Sequence, residues 1–225
     1  MSAIFITATG TDIGKTFVTA GLIRHWRAAG RAVEALKPVV TGFDPDKAAS
    51  SDPGVLLAAL GRPVTLSEIA RIAPWRFSAP LSPDMAAQRE NRAIDFDALV
   101  AFSRHVIESA KGPLLIEGVG GVMVPLDDRH TVLDWITELN IPAGLVTGSY
   151  LGGLSHALTS IDSLQHRAIA IKTIVVNETV GSTVPIADTI TTLERLAASI
   201  PIVALPRLPT ADAVHPAFGE IAGLL

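Results

Sequence analysis

Cysteine is absent from the 225 residues. That excludes a disulfide framework, a thiol nucleophile and a thiolate metal centre. Charge is sparse, at 18% of residues, and the balance is −4. A nucleic-acid-binding chain would normally carry a basic face, so no nucleic-acid partner is expected. No apolar run approaches the roughly 20 residues that a helix needs to span a bilayer. Met1 is followed directly by strand-like sequence, with no basic segment or long apolar stretch, which predicts a soluble cytoplasmic protein without a membrane partner. There is no Gly-x-Ser-x-Gly elbow and hence no support for a serine hydrolase. The six histidines do not gather. His25, His105 and His166 read as surface residues of helices, while His130 and His156 fall nearer to candidate ligand loops without metal-ligand spacing. Repeats, low-complexity tracts and linkers are also missing, so one domain over residues 1–225 is expected.

What is present is concentrated at the start. Ala3-Ile4-Phe5-Ile6-Thr7-Ala8 is an apolar, β-branched run. It passes through Thr9-Gly10-Thr11-Asp12-Ile13 into Gly14-Lys15-Thr16, and helix-forming sequence follows at once. Strand, small-residue loop, Gly-Lys-Thr and helix is the layout of a phosphate-binding loop. Small residues let backbone N–H groups converge on phosphate oxygens, and the helix N-terminus adds partial positive charge. Lys15 would reach the β- and γ-phosphates of ATP, and the Thr16 hydroxyl would ligate Mg²⁺. The strict pattern wants glycine five residues before Gly14, where this chain has Thr9.

Downstream, helices and strands alternate. A helix over about Thr16–Ala29 stops at Gly30, and Val33–Lys37 reads as a strand ended by Pro38. Lys37 therefore stands at a strand's C-terminal end, where open α/β sheets place ligands; a lysine pointing into water fits the spacing equally well. Residues 42–51 are polar and turn-rich, a candidate mobile loop. Ser51-Asp52-Pro53 looks like a helix start, and first-turn capping is the plainer reading of Asp52. Residues 73–83 read as an ordered irregular loop whose Ser82-Pro83 starts a helix. Pro113–Glu117 is a nearly all-apolar strand ending in a carboxylate and followed by Gly118-Val119-Gly120-Gly121. In a chain with a phosphate loop, that carboxylate suggests a Mg²⁺ ligand or a group polarising its waters. Strands follow at 142–147, 169–176 and 202–205, with a glycine-rich loop from Gly148 to Gly153. The sum is an α/β fold: a doubly wound, mostly parallel sheet with helices on both faces, of the P-loop NTPase type.

Together these motifs resemble the dethiobiotin synthetases, ATP-dependent ligases of biotin synthesis. The likeness spans most of the chain and keeps its order. It rests on Phe5–Thr7 through Gly14-Lys15-Thr16, Lys37-Pro38-Val39-Val40-Thr41-Gly42, Ser51-Asp52 and Pro80-Leu81-Ser82-Pro83. It continues through Glu117-Gly118-Val119-Gly120-Gly121 with Val124-Pro125-Leu126, Asp134-Trp135, Ser155-His156, Val176-Asn177 and Pro206. The Lys-Pro-Val and Glu-Gly-x-Gly-Gly motifs are the specific part.

The resemblance implies that 7,8-diaminononanoate, CO₂ and ATP are the substrates, with Mg²⁺ as cofactor and a homodimer as the assembly. By matching position it makes Lys37, Lys15 and Thr11 catalytic. The nucleotide would be held by Asp12, Ile13, Gly14, Lys15, Thr16, Phe17, Asn177 and Pro206. Lys37, Thr41, Gly118, Val119, Tyr150, Leu151 and Gly152 would meet the diamine substrate, the last three across the dimer interface. Thr16, Asp52 and Glu117 would hold the metal. Three positions depart from the family: Ala8-Thr9-Gly10-Thr11 replaces the usual Gly-Thr-Asp-Thr, Asp12 stands for a frequent glutamate, and Tyr150 for a frequent lysine. Ala8 fits beside phosphate if its φ is negative, which predicts retained ATP binding. A switch ATPase of the ParA/MinD kind is the alternative. Its additional early-loop lysine would fall near Ala8–Gly10 and is absent, and the C-terminal segment from Phe218 is short and without a basic residue for a membrane helix.

Overall fold

The computed structural model describes residues 3–210 and 212–225. β1 (Ala3–Ala8) leads into α1 (Lys15–Ala28), β2 (Glu34–Leu36) and the short β3 (Val39–Val40). A 3-10 turn over Pro45–Ser50 precedes α2 (Asp52–Ala59), α3 (Leu66–Ile72) and β4 (Trp75–Arg76). Then come α4 (Pro83–Arg89), α5 (Phe96–Ser109), β5 (Leu114–Glu117), α6 (Val132–Leu139) and β6 (Ala143–Gly148). α7 (Gly153–His166), β7 (Ile171–Asn177), α8 (Ile186–Leu196), β8 (Ile202–Leu205) and α9 (Pro216–Leu224) complete the order.

Six strands form one sheet in the order β2-β5-β1-β6-β7-β8, and every pairing is parallel. Alternate side chains of a strand face opposite sides of its sheet, and all six residues of β1 are buried, so helices cover both faces. This is the doubly wound arrangement expected from the sequence. The connection leaving β1 runs toward β2, whereas those leaving β5 and β6 run the other way. A crevice therefore opens beyond the C-terminal ends of the central strands. Among the described residues, no helix is long and apolar enough to cross a membrane.

The core fixes where those strand ends lie. Phe5 on β1 meets Trp135 on α6 edge-on, with ring centroids 4.8 Å apart. The Trp135 indole N–H donates to Ser103 Oγ on α5 at 3.2 Å, so this buried ring keeps its polar atom satisfied. α6 opens with a reciprocal cap between Thr131 and Asp134. On α1, a Cβ at Gly21 would lie 2.1 Å from the Phe218 ring; glycine lets α9 close onto the helix that carries the phosphate loop.

Two stretches hold more regular structure than the sequence suggests. Residues 42–51 contain the 3-10 turn, and a Cβ at Gly54 would lie 2.0 Å from the Ala48 carbonyl oxygen, so α2 packs directly on that turn. Residues 73–83 contain β4, which pairs with β3 through Val39↔Trp75 and Val40↔Arg76. α3, started by the Thr65 cap, is an element that the sequence reading did not anticipate.

Candidate active site

β1 delivers the phosphate loop and α1 receives it. Ala8 is the last strand residue and is absent from the positive-φ positions, so the condition set by its side chain is met. The tight part of the loop comes later, with φ +57° at Asp12 and +97° at Gly14. Gly14 is required on two counts: the left-handed backbone and a Cβ that would fall 2.3 Å from Asn177 Nδ2. That same amide donates to the Ile13 carbonyl at 2.9 Å, so the end of β7 holds the loop from outside. Lys15, the first residue of α1, curls back and donates to the Gly10 carbonyl at 3.1 Å. Burial first, and then the charge of Lys37, lower its pKa to about 8.

Lys37 lies just beyond β2 and is 2% exposed. Its ammonium donates to Glu117 Oε1 at 2.7 Å and to the Gly118 carbonyl at 2.8 Å, and sits 3.1 Å from Asp52 Oδ2. The Thr16 hydroxyl donates to the same Glu117 oxygen at 2.6 Å. Burial opposes the charge on Lys37, yet the Glu117 and Asp52 carboxylates outweigh it and raise its pKa. Burial likewise opposes ionisation of Asp52; the Lys37 charge and hydrogen bonds from Lys37 and Thr16 prevail and lower its pKa. Ser51 settles the reading of Asp52. Ser51 Oγ accepts from the Gly54 N–H at 3.3 Å and caps α2, which leaves the Asp52 carboxylate to Lys37.

Lys15, Thr16, Lys37 and Asp52 line a cleft of about 850 Å³ together with Thr11, Thr41 and Val119, and Glu117 lies buried behind them. Gly118 contributes its carbonyl to Lys37. A second cavity, about 360 Å³, lies on the other side of the loop and is lined by Ile13, Asn177, Glu178, Arg207 and Tyr150. Asp12 borders both. Glu178 and Arg207 were not anticipated: each follows the end of a strand, and they meet because β7 and β8 pair, with the Arg207 N–H donating to Glu178 Oε2 at 2.8 Å. Pro206 precedes Arg207 at the close of β8. The Phe17 ring packs edge-on against Phe218, with 5.9 Å between centroids, and lines neither cavity. Tyr150, expected at the substrate carboxylate, lines the second cavity and bonds through its hydroxyl to His156 Nδ1 at 2.9 Å. Leu151 and Gly152 line neither cavity, and Leu151 is 90% exposed.

Residues 2–217 match the model of a family described as an AAA domain. The chain is 52% identical over 211 residues to the ATP-dependent dethiobiotin synthetase BioD of Acidiphilium cryptum, covering 93% of this chain and 95% of that one. The chain belongs to the dethiobiotin synthetase family. A synthetase of the same name from Phenylobacterium zucineum is 45% identical, over 92% of this chain and 89% of its own length. Solved structures similar to this synthetase-family chain share its fold at low identity. The cell division ATPase MinD of Pyrococcus furiosus has a TM-score of 0.57 at 18% identity, covering 100% of this chain and 98% of that one. The cell division protein FtsY of Thermotoga maritima has 0.53 at 16%, covering 98% and 68%.

Gly10 has no positive φ, and an added Cβ would meet only Ile13 at 3.7 Å and beyond. Glycine is not demanded there by the backbone. Among the described residues no three His, Cys, Asp or Glu side chains gather as a metal centre. The donor set that does converge is Thr16, Asp52 and Glu117, and Glu117 Oε2 is buried without a partner. Oxygen donors with one carboxylate atom left unpaired fit a hard divalent cation that takes its remaining ligands from phosphate and water.

Proposed function

We propose that the larger cleft carries out ATP-dependent dethiobiotin synthesis in biotin biosynthesis, the reaction named for its relatives, on 7,8-diaminononanoate, CO₂ and ATP. The observation that carries this is the convergence of Lys15, Lys37 and Asp52 in one cleft at the mouth of the phosphate loop, with Glu117 buried beneath it against Lys37. One amine adds to CO₂ and loses a proton, giving a carbamate. A carbamate oxygen attacks the γ-phosphorus of ATP, and ADP leaves. The second amine attacks the carbonyl carbon of the resulting carbamic-phosphoric anhydride; phosphate departs and a second proton is lost as the ureido ring closes.

Phosphoryl transfer of this kind needs positioning and charge neutralisation more than covalent help from the protein. Lys15 and Lys37 neutralise the transferring group and the carbamate, while Thr11 and Thr41 line the place where the two meet. The backbone from Asp12 to Phe17 cradles the phosphates. Gly118 and Val119 flank the diamine, and Asn177 and Pro206 serve the nucleoside in the smaller cavity, now joined by Glu178 and Arg207. Mg²⁺ bound by Thr16, Asp52 and Glu117 would further neutralise the phosphate oxygens. Tyr150, Leu151 and Gly152 belong to a loop that serves the substrate carboxylate of the partner subunit in a homodimer. The exposure of Leu151 outside both cavities supports that assignment.

The test is phosphate release from purified protein with Mg-ATP, bicarbonate and the diamine, leaving out one component at a time. Release that needs all of them, with dethiobiotin detected by mass spectrometry, is the expected result. Steady hydrolysis indifferent to the diamine would overturn the assignment.

A further inference from the structure

Every proton of the Lys37 ammonium is already engaged. An ammonium has three donors and no acceptor. Here the donors face Glu117 Oε1 at 2.7 Å, the Gly118 carbonyl at 2.8 Å and Asp52 Oδ2 at 3.1 Å. The Lys37 side chain is 3% exposed and that of Glu117 fully buried. Held in this way, Lys37 has nothing to offer a carbamate or a γ-phosphate, which is the task proposed for it above. The two carboxylates that it bridges are also the two that would hold a divalent cation. The Thr16 hydroxyl is directed at the same Glu117 oxygen.

We propose that Lys37 is a tethered stand-in for the metal ion: its ammonium holds Asp52 and Glu117 together while no cation is bound, and leaves them for the cleft when Mg²⁺ takes its place. The inference rests on the reading of Thr16, Asp52 and Glu117 as metal ligands. The physical case is charge balance. One carboxylate is fully buried and the other partly exposed, and the Lys37 ammonium lies against both. Lys37 supplies one positive charge within reach of both, whereas a divalent ion balances both. After the exchange, the charge of Lys37 has no carboxylate partner in a cleft that already holds Lys15, and anionic groups of the substrates complete the balance. Access supports the same sequence of events. The Asp52 side chain is 46% exposed, so an ion enters on its side while Glu117 and Lys37 are still covered. One consequence is an order of assembly, in which metal and nucleotide bind before the carbamate finds a free lysine.

The test measures Mg²⁺ binding to the ADP-bound protein by calorimetry, for wild type, Asp52→Asn and Lys37→Met. Asp52→Asn probes the ligand set and should weaken binding roughly tenfold or more; unchanged affinity overturns the metal reading itself. With that reading standing, Lys37→Met should bind Mg²⁺ roughly tenfold tighter than wild type, because no ammonium has to be displaced. Equal or weaker binding overturns the exchange. A second measurement needs no variant to fold: the side-chain ammonium signal of Lys37, in wild-type protein carrying nitrogen-15 lysine, is followed by NMR as Mg²⁺ is added to the ADP complex. Displacement should move the signal and speed its proton exchange. A signal that stays put while the metal site saturates overturns the proposal.

Discussion

Lys15 is the most costly charge in the site. It is 6% exposed, its ammonium donates to the Gly10 carbonyl, and its pKa is lowered from 10.5 to about 8. A lysine whose folded pKa is lowered favours the deprotonated state on folding. The unfolded chain therefore binds more protons between about pH 8 and 10.5, and the contribution of Lys15 to stability rises with pH across that window. Below it, the penalty for burying the ammonium is fully present. A polyphosphate reverses the balance, because its charge favours the ammonium form. ATP binding should accordingly take up a proton near pH 8, and the apparent affinity should weaken as pH rises further, by up to about tenfold per unit. Calorimetry in two buffers of different ionisation enthalpy reads the proton directly. An affinity that stays flat from roughly pH 7 to 9.5 would mean that Lys15 keeps its proton in the free protein.

At the scale of elements, the joint between the phosphate loop and α1 depends on β7. Gly14 carries φ +97°, and Asn177 fills the space where a side chain would begin. Gly14→Ala should strain the backbone and push the Asn177 amide off the Ile13 carbonyl. ATP affinity should fall by a factor on the order of ten to a hundred, and the melting temperature should drop by several degrees. A variant that binds ATP like wild type would show that the loop does not need this tie. The joint also marks what can be read without coordinates. β1, β5, β6, β7 and β8, and the helices α1 and α5 to α8, announce themselves by apolar runs and by helical periodicity. Lys37, Asp52 and Glu117 stand out because each terminates or opens such an element in a motif of its own. β3 and β4 are two residues each and α3 is seven, too short for any period to register. Glu178 and Arg207 lie in no motif and become neighbours only through the pairing of β7 with β8. The side of its loop that the Tyr150 ring takes, facing the cavity shared with Asn177, is likewise set by the fold and not by a motif.

At the scale of the whole molecule, one chain leaves part of the proposed machinery idle. Leu151 and Gly152 open α7 beside the end of β6, yet they line neither cavity of their own chain. If the loop serves a second copy in a two-fold dimer, each active site is built from two chains, and defects in the two parts should complement. Lys15→Ala destroys the phosphate half of a site. Leu151→Glu places a negative charge where a substrate carboxylate is to be received, so the KM for the diamine should rise with little change for ATP. Co-expressed, the two chains form mixed dimers in about half of the cases, and each mixed dimer has one site carrying both defects and one carrying neither. The mixture should therefore regain about a quarter of wild-type activity at low diamine, although each variant alone is nearly inactive. A loop acting within its own chain gives a different result: every site then contains one defect or the other, and mixing restores nothing. Sedimentation of the wild-type chain supplies the companion reading, because a monomer at assay concentration would leave no partner for the loop to serve.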